Sequence, residues 1–382
     1  MATVPPRYRA AIIGTGRIAS LLERDPLRSR PHTHAGWYAS EPRTTVVAGC
    51  DLDAGRLASF GEDWGVDAAD LYDDYRLLLE RVRPDIVSVC AYAADRVDMC
   101  QAALEAGARG LWIEKAVAST VDEAEGLGRA VAAAGAAAVV DYPRRLDARY
   151  RAIARWIRDE TFGRLESIHV LFSGHVVHTG THAWDLLLAW CGPWARVDAS
   201  LDTPAHEAAA SGDDRERDEA EASRYADALM RGVADRGGRA RIVFANGVEA
   251  FVSGGAKRYF VFQCDLVCAS GRIRVGNDVW EVLAPADSPR YSGYRELAPI
   301  DPACRDGRLG EASLPAMVAG DRGASSVLAE LLRTMETGES SALSIDAATR
   351  ALALGVAVMQ AGLTGRTVTP ETLDRSLRIA SI

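Results

Sequence analysis

Two residue types in this chain could move a proton near neutral pH. Lys115 closes the run Gly110-Leu111-Trp112-Ile113-Glu114-Lys115, and His169, His175, His178 and His182 place four of the seven histidines within fourteen residues. An amine at the carboxyl end of a buried strand faces a ligand cleft in a doubly wound sheet, not a core. Imidazole titrates near neutral pH and serves as acid or base. His178 and His182 are four apart, a spacing that shares one face of a helix. One reading is an acid/base pair, with Asp185 three residues on to orient a ring or hold a substrate hydroxyl. The other is a zinc site. Gly180 lies between the two histidines and no H-E-x-x-H pattern is present, so no metal is assigned. His169 and His175 read as strand or core histidines.

Those side chains need elements that aim them. Ala10-Ala11-Ile12-Ile13 runs straight into Gly14-Thr15-Gly16-Arg17-Ile18-Ala19. An unbroken run of small and branched apolar residues suits a parallel strand buried on both faces. The glycines permit torsions and close approaches that a Cβ forbids. Ala19 fills the third small position of a G-x-G-x-x-G/A fingerprint, which cradles a pyrophosphate where helix N–H groups favour an anion. Residues 44–51 form a second β-rich run ending in Asp51, the candidate for ribose hydroxyls, with Leu52 and Arg56 close by. The stretch from Gly14 to Asp51 exceeds the usual ~20 residues. The excess, residues 21–33, reads as an insertion ahead of a helix that begins near His34. No arginine adjoins Asp51 to receive a 2′-phosphate, which favours NAD over NADP.

Further strands are expected at 84–91, 110–115 and 136–141, alternating with helices at 72–82, 96–106 and 120–134. Thr120 followed by Glu123 is a capping box. Such alternation calls for a doubly wound parallel sheet. After Tyr142-Pro143 the pattern changes. Helices are expected at 146–159, 184–190, 324–337 and 345–361, and a strand at 165–175. Hairpin strands follow at 239–253 and 259–275, with Asn246-Gly247 as the turn. Residues 203–223 are highly charged and read as a solvated helix or loop. The fold class is α/β: a Rossmann domain over residues 1–143, then an α+β domain over 144–382 with a large mixed or antiparallel sheet for substrate binding and oligomerisation.

Composition narrows the function. With 382 residues there is material for two domains. A net charge of −9 leaves no basic stripe for nucleic acid. The seven scattered cysteines suggest reduced thiols in a cytoplasm. No apolar run reads as a membrane span, and residues 1–9 lack the apolar stretch of a signal peptide.

Taken in order, these motifs resemble the Gfo/Idh/MocA family (glucose-fructose oxidoreductase, inositol dehydrogenase and rhizopine-catabolism proteins). The resemblance rests on Gly14–Ala19, Asp51, Pro84–Ala91, Glu114-Lys115-Ala116, Arg145-Leu146, His178–Asp185 and Gly365-Arg366-Thr367-Val368, and runs over almost the whole length. It implies hydride transfer between NAD and a hydroxyl or carbonyl carbon of a sugar, cyclitol or related polyol. It implies that Lys115 hydrogen-bonds the reacting oxygen, that His182 is the general acid/base, and that Asp185 binds substrate or supports the site. Glu114 and the Ala91-Tyr92 turn would line the cofactor. Arg145, Trp184 and Tyr225 are substrate-side candidates by type, and a homodimer or homotetramer is expected. Three departures stand out. Glu-Lys-Pro has become Glu-Lys-Ala, Thr-Pro-x-x-x-His has become Ala91-Tyr92-Ala93-Ala94-Asp95-Arg96, and the aspartate four before the catalytic histidine is His178. A second imidazole there allows His178 to share the proton relay. It also leaves open a redox-neutral reaction through transient oxidation, or a dinucleotide-binding protein without catalysis.

Overall fold

The computed structural model describes residues 8–202, 232–257, 259–300 and 326–380. The chain forms two compact units. The first takes Met1–Pro143, Ser325–Thr349 and Ser381–Ile382, and the second takes Arg144–Ala324 and Arg350–Ala380.

In the first unit the elements run β1 (Tyr8–Ile13), α1 (His34–Ser40), β2 (Thr44–Cys50), α2 (Ala54–Trp64), β3 (Leu71–Tyr72), α3 (Tyr75–Val82), β4 (Ile86–Val89), α4 (Ala93–Glu105), β5 (Gly110–Ile113), α5 (Val121–Ala134) and β6 (Ala137–Val140). The six strands form one sheet in the order β3-β2-β1-β4-β5-β6, every pair parallel. The apolar runs explain the order: Ile12, Val87, Leu111 and Val139 are fully buried, as strands covered on both faces require. Thr120 caps α5 by the expected box, accepting from the Glu123 N–H at 3.1 Å. Helix α2 and strand β3 were not expected. Asp53 starts α2 by accepting from the N–H groups of Gly55 and Arg56, and Gly65 ends it in the left-handed conformation.

Residues 21–33 are an excursion within a helix. The turn at 17–20 offers the carbonyls of Ile18 and Ala19, and these accept from the N–H groups of His34 and Ala35 at 3.2 and 3.0 Å. Helix α1 therefore resumes where the turn stopped. Glu23 closes the excursion by accepting from the Thr33 and His32 N–H groups at 2.9 and 3.0 Å.

The second unit contains α6 (Ala148–Arg158), β7 (Leu165–Ser173), α7 (Thr181–Cys191), β8 (Trp194–Leu201), β9 (Val233–Ala234), β10 (Gly238–Phe244), β11 (Glu249–Gly255), β12 (Phe262–Cys268), β13 (Gly271–Gly276), β14 (Trp280–Asp287) and β15 (Arg295–Pro299). Eight strands form a mixed sheet in the order β15-β14-β13-β12-β7-β11-β10-β8; only β7 and β11 run parallel. Asn246-Gly247 is the β10–β11 turn, with Gly247 at φ +84°.

The chain then adds α8 (Val327–Thr337), α9 (Ile345–Thr364) and β16 (Ile379–Ala380), which pairs with β9. Helix α8 packs on β5 and β6 in the first unit, so the chain returns to that unit after its second-unit strands. One expectation is corrected here. Helix α9 has 20 residues and a mean hydropathy of 1.2, long and apolar enough to cross a membrane by length and composition. Two-thirds of it, 67%, is buried inside the protein, which explains its apolar character as that of a core helix.

Candidate active site

The glycine turn stands at the carboxyl end of β1. Gly14 has φ +86°, and a Cβ there would lie 3.0 Å from the carbonyl carbon and oxygen of Cys90. Only glycine fits such a crossing of two strand ends. Asp51 follows β2 and is 9% exposed. Its Oδ2 accepts from the Thr15 N–H at 2.8 Å and the Thr15 hydroxyl at 3.2 Å; its Oδ1 accepts from the Asp53 N–H at 2.9 Å. The acid thus fastens the second strand end to the glycine turn. Leu52 is 77% exposed beside it. Arg56, one turn into α2, holds Nη1 at 3.9 Å from where a Cβ on Gly16 would be, so a cation stands over the turn. Gly14, Thr15, Gly16, Asp51 and Arg56 are thereby brought together, in a cradle whose shape and charge suit a dinucleotide. Arg17, Ile18 and Ala19 form the turn that leads to α1.

Lys115 follows β5 and is half-buried. The next peptide, Lys115–Ala116, is cis. Arg96 is 3% exposed and donates from Nη1 to the Ala116 carbonyl and from Nη2 to the Ala91 carbonyl. One guanidinium therefore ties the Ala91-Tyr92 turn after β4 to the Lys115 strand end. Glu114, expected to line the cofactor, stands at the end of the same strand. It is 6% exposed, and its carboxylate meets His34 Nε2 at 3.4 Å and the Lys115 N–H at 3.2 Å. An acid can be buried this way because donors surround it.

In the second unit, His178 precedes α7 and does not share a helix face with His182. Its N–H donates to Asp235 Oδ2 at 2.7 Å, and the Val177 N–H donates to Oδ1 at 2.9 Å. Asp235, 3% exposed, therefore fixes this turn. Gly180 allows it: a Cβ there would lie 2.2 Å from the Val176 carbonyl oxygen. His182 is the second residue of α7 and half-buried, with its ring edge-on to Phe262 at 6.4 Å. Asp185, one turn on, is 2% exposed and accepts from Arg145 Nη1 at 3.0 Å. Burial pushes its carboxyl up to about 7, against the opposing charges of Arg145 and Arg350. Trp184 is corrected from a substrate contact to a core residue. It is 1% exposed, its indole N–H donates to the Val176 carbonyl at 2.7 Å, and it packs edge-on to Phe172. Tyr225 lies outside the described residues.

Three residues around the Lys115 strand end were not anticipated as functional: His34, Arg96 and Asp141. Arg96 and Asp141 were visible as strand-end or helix-start residues. His34 carried no signal beyond starting a helix.

Comparison with known proteins agrees with this geometry. A model of the Gfo/Idh/MocA oxidoreductase family, NAD-binding Rossmann fold, matches residues 8–142. D-glucoside 3-dehydrogenase of Escherichia coli is 27% identical over 46% of this chain and 45% of its own length. D-apiose dehydrogenase of Paraburkholderia graminis is 27% identical over 42% of this chain and 39% of its own. The matched stretches thus span less than half of either relative. The fold extends further. The WlbA dehydrogenase of Bordetella pertussis, solved with NADH and UDP-GlcNAcA, superposes with a TM-score of 0.70 over 96% of this chain and 99% of its own, at 16% identity. Residues 8–142, with the glycine turn, the strand-end acid and the parallel sheet, are thus similar to the NAD-binding Rossmann fold of the Gfo/Idh/MocA oxidoreductase family.

Proposed function

We propose that the protein is an NAD-dependent dehydrogenase that moves a hydride to or from a CH–OH carbon of a sugar, cyclitol or related polyol, with Lys115 and His182 handling the proton. The observation that carries this reading is the carboxyl edge of the six-stranded sheet. There the Gly14 turn, clasped by Asp51 and overhung by Arg56, shares one edge with the Lys115 strand end. When bound, the nicotinamide supplies the hydride acceptor or donor. Gly14–Ala19 would hold the pyrophosphate, and Asp51 with Leu52 the adenosine ribose. The Asp51 carboxylate repels a 2′-phosphate, which supports NAD over NADP; Arg56 works the other way. Lys115 donates to the reacting oxygen and so favours the alkoxide over the alcohol. His182, an imidazole, accepts or returns the hydroxyl proton. Arg145 and Asp185 would shape the substrate side. The sugar class is supported by the two curated relatives, both sugar dehydrogenases by name.

The exposed face of the mixed sheet, where Phe251 lies 39% exposed and stacked on His169 at 5.2 Å, would pair with a second copy in a homodimer or homotetramer. The described cysteines are all free thiols, which fits a cytoplasmic setting. General acid/base help is worth roughly 10²–10⁴-fold. Lys115→Ala should lower turnover on a panel of sugars and polyols by about that much while NADH binding, read by fluorescence titration, is retained. Undiminished turnover in that variant would overturn the assignment.

A further inference from the structure

Strands β5 and β6 are neighbours, with Ile113 and Val140 paired in register. The residues that follow them, Glu114 and Asp141, therefore leave the sheet side by side. His34, the first residue of α1, completes the group: ligand atoms of the three side chains all lie within 4.8 Å of one another. His34 is 1% exposed and stacks on Trp112 at 3.8 Å. Its Nδ1 meets the Ser88 hydroxyl at 2.9 Å, which meets the Tyr38 hydroxyl at 2.8 Å. The Trp112 indole N–H donates to Asp141 Oδ1 at 3.2 Å.

Two carboxyl groups this close, Glu114 buried and Asp141 half-buried, oppose each other's ionisation. Glu114 has the better claim to the charge. It faces His34, the Lys115 N–H and the cations of Lys115 and Arg96; Cys90 is the other titratable neighbour. Asp141 faces Glu114, the indole N–H and the Lys115 charge, but lacks the His34 and Arg96 partners of Glu114. Burial and the Glu114 charge push the Asp141 carboxyl up. Burial also opposes the charge on Glu114, but the His34 hydrogen bond and the charges of His34, Lys115 and Arg96 outweigh it and hold that carboxyl down. A divalent cation is the rival occupant of these donors. The charges of Lys115 and Arg96, and the indole N–H aimed at Asp141, oppose it.

We propose that Glu114 and Asp141 share one proton beside Lys115, and that the Glu114 anion, steadied by His34, sets the pH at which the Lys115 amine loses its proton. Glu114 and His34 are then positioning residues for Lys115. The proposal rests on the proton-handling role of Lys115. Coupling between two titrating groups is mutual: if the lysine charge favours the Glu114 anion, that anion favours the lysine charge by the same amount.

The test titrates Lys115 in the full chain without cofactor. Acetic anhydride labels free amines, and peptide mass spectrometry reports the fraction labelled at Lys115. At pH 7 Glu114→Gln should raise the labelling rate about tenfold or more, equivalent to a drop of about one pKa unit. Asp141→Asn should leave it within about twofold, because it replaces a neutral acid by a neutral amide. Equal increases in both variants would overturn the shared proton. No increase in Glu114→Gln, and none when Asp141→Asn is added so that neither acid can carry the charge, would overturn the coupling. Should Glu114→Gln not fold, carboxyl-carbon NMR of the unaltered protein decides. The Asp141 resonance should titrate at higher pH than the Glu114 resonance, and the reverse order would refute the proposal. Failure of the Lys115 role is separable, because undiminished turnover in Lys115→Ala leaves this titration intact.

Discussion

Replacing Asp185 by asparagine should remove a pH dependence from the stability of the second unit. Asp185 is 2% exposed on α7, with Oδ1 3.0 Å from Arg145 Nη1. Burial pushes its carboxyl up to about 7, the pull of Arg145 notwithstanding, whereas in the unfolded chain an aspartate titrates near ~3.9. The sign follows. Between those values the folded form carries a proton that the unfolded form has lost, so stability is full below about pH 4 and falls as pH rises toward 7. A shift of about three units at 1.36 kcal/mol each amounts to about 4 kcal/mol across that window. Asparagine keeps an oxygen for Arg145 and cannot ionise. Urea unfolding, followed at steps from about pH 4.5 to 7.5, should show the variant losing less stability than the parent by about 3 kcal/mol over that range. Near neutral pH the variant should then equal or exceed the parent. A parallel pair of pH–stability curves would show that Asp185 is ionised throughout, and the burial argument would fail.

Two further substitutions probe the cofactor cradle. Gly14→Ala places a Cβ 3.0 Å from the Cys90 carbonyl at a φ of +86°, a strain of about 1–3 kcal/mol. It should weaken NADH binding by calorimetry at least about tenfold, and unchanged affinity would remove Gly14 from the binding turn. Asp51→Ser deletes the anion that would exclude a 2′-phosphate. The ratio of kcat/KM for NAD over NADP should drop by about tenfold or more, and an unchanged ratio would place the discrimination elsewhere, with Arg56 the next residue to test.

The parallel sheet was legible because its strands are unbroken apolar runs, and their chemistry-bearing ends are local: Gly14 follows β1, Asp51 follows β2, Lys115 follows β5. Side-chain type without burial was a poorer guide. Trp184 read as a substrate contact by type alone, but Gly355 of α9 lets its indole pack inward, 3.1 Å from where a Cβ on that glycine would be. The His178–His182 spacing suggested a shared helix face, and the hydrogen bonds of Asp235, far along the chain, instead hold residue 178 in the preceding turn. Contacts of this kind leave no periodic trace, since the partners are fixed only once the chain has closed on itself. The acid pair is an instructive intermediate case. Both strands were expected, and both end in an acid, at Glu114 and Asp141. Once β5 and β6 are adjacent and parallel with Ile113 opposite Val140, those two carboxyls must meet, and close carboxyls oppose each other's ionisation. What no local pattern could supply was His34, brought back by the excursion at 21–33 to stand where the charge on Glu114 needs a partner. The excursion therefore matters to the chemistry: it returns the chain to the interrupted helix with an imidazole against the acid that precedes Lys115.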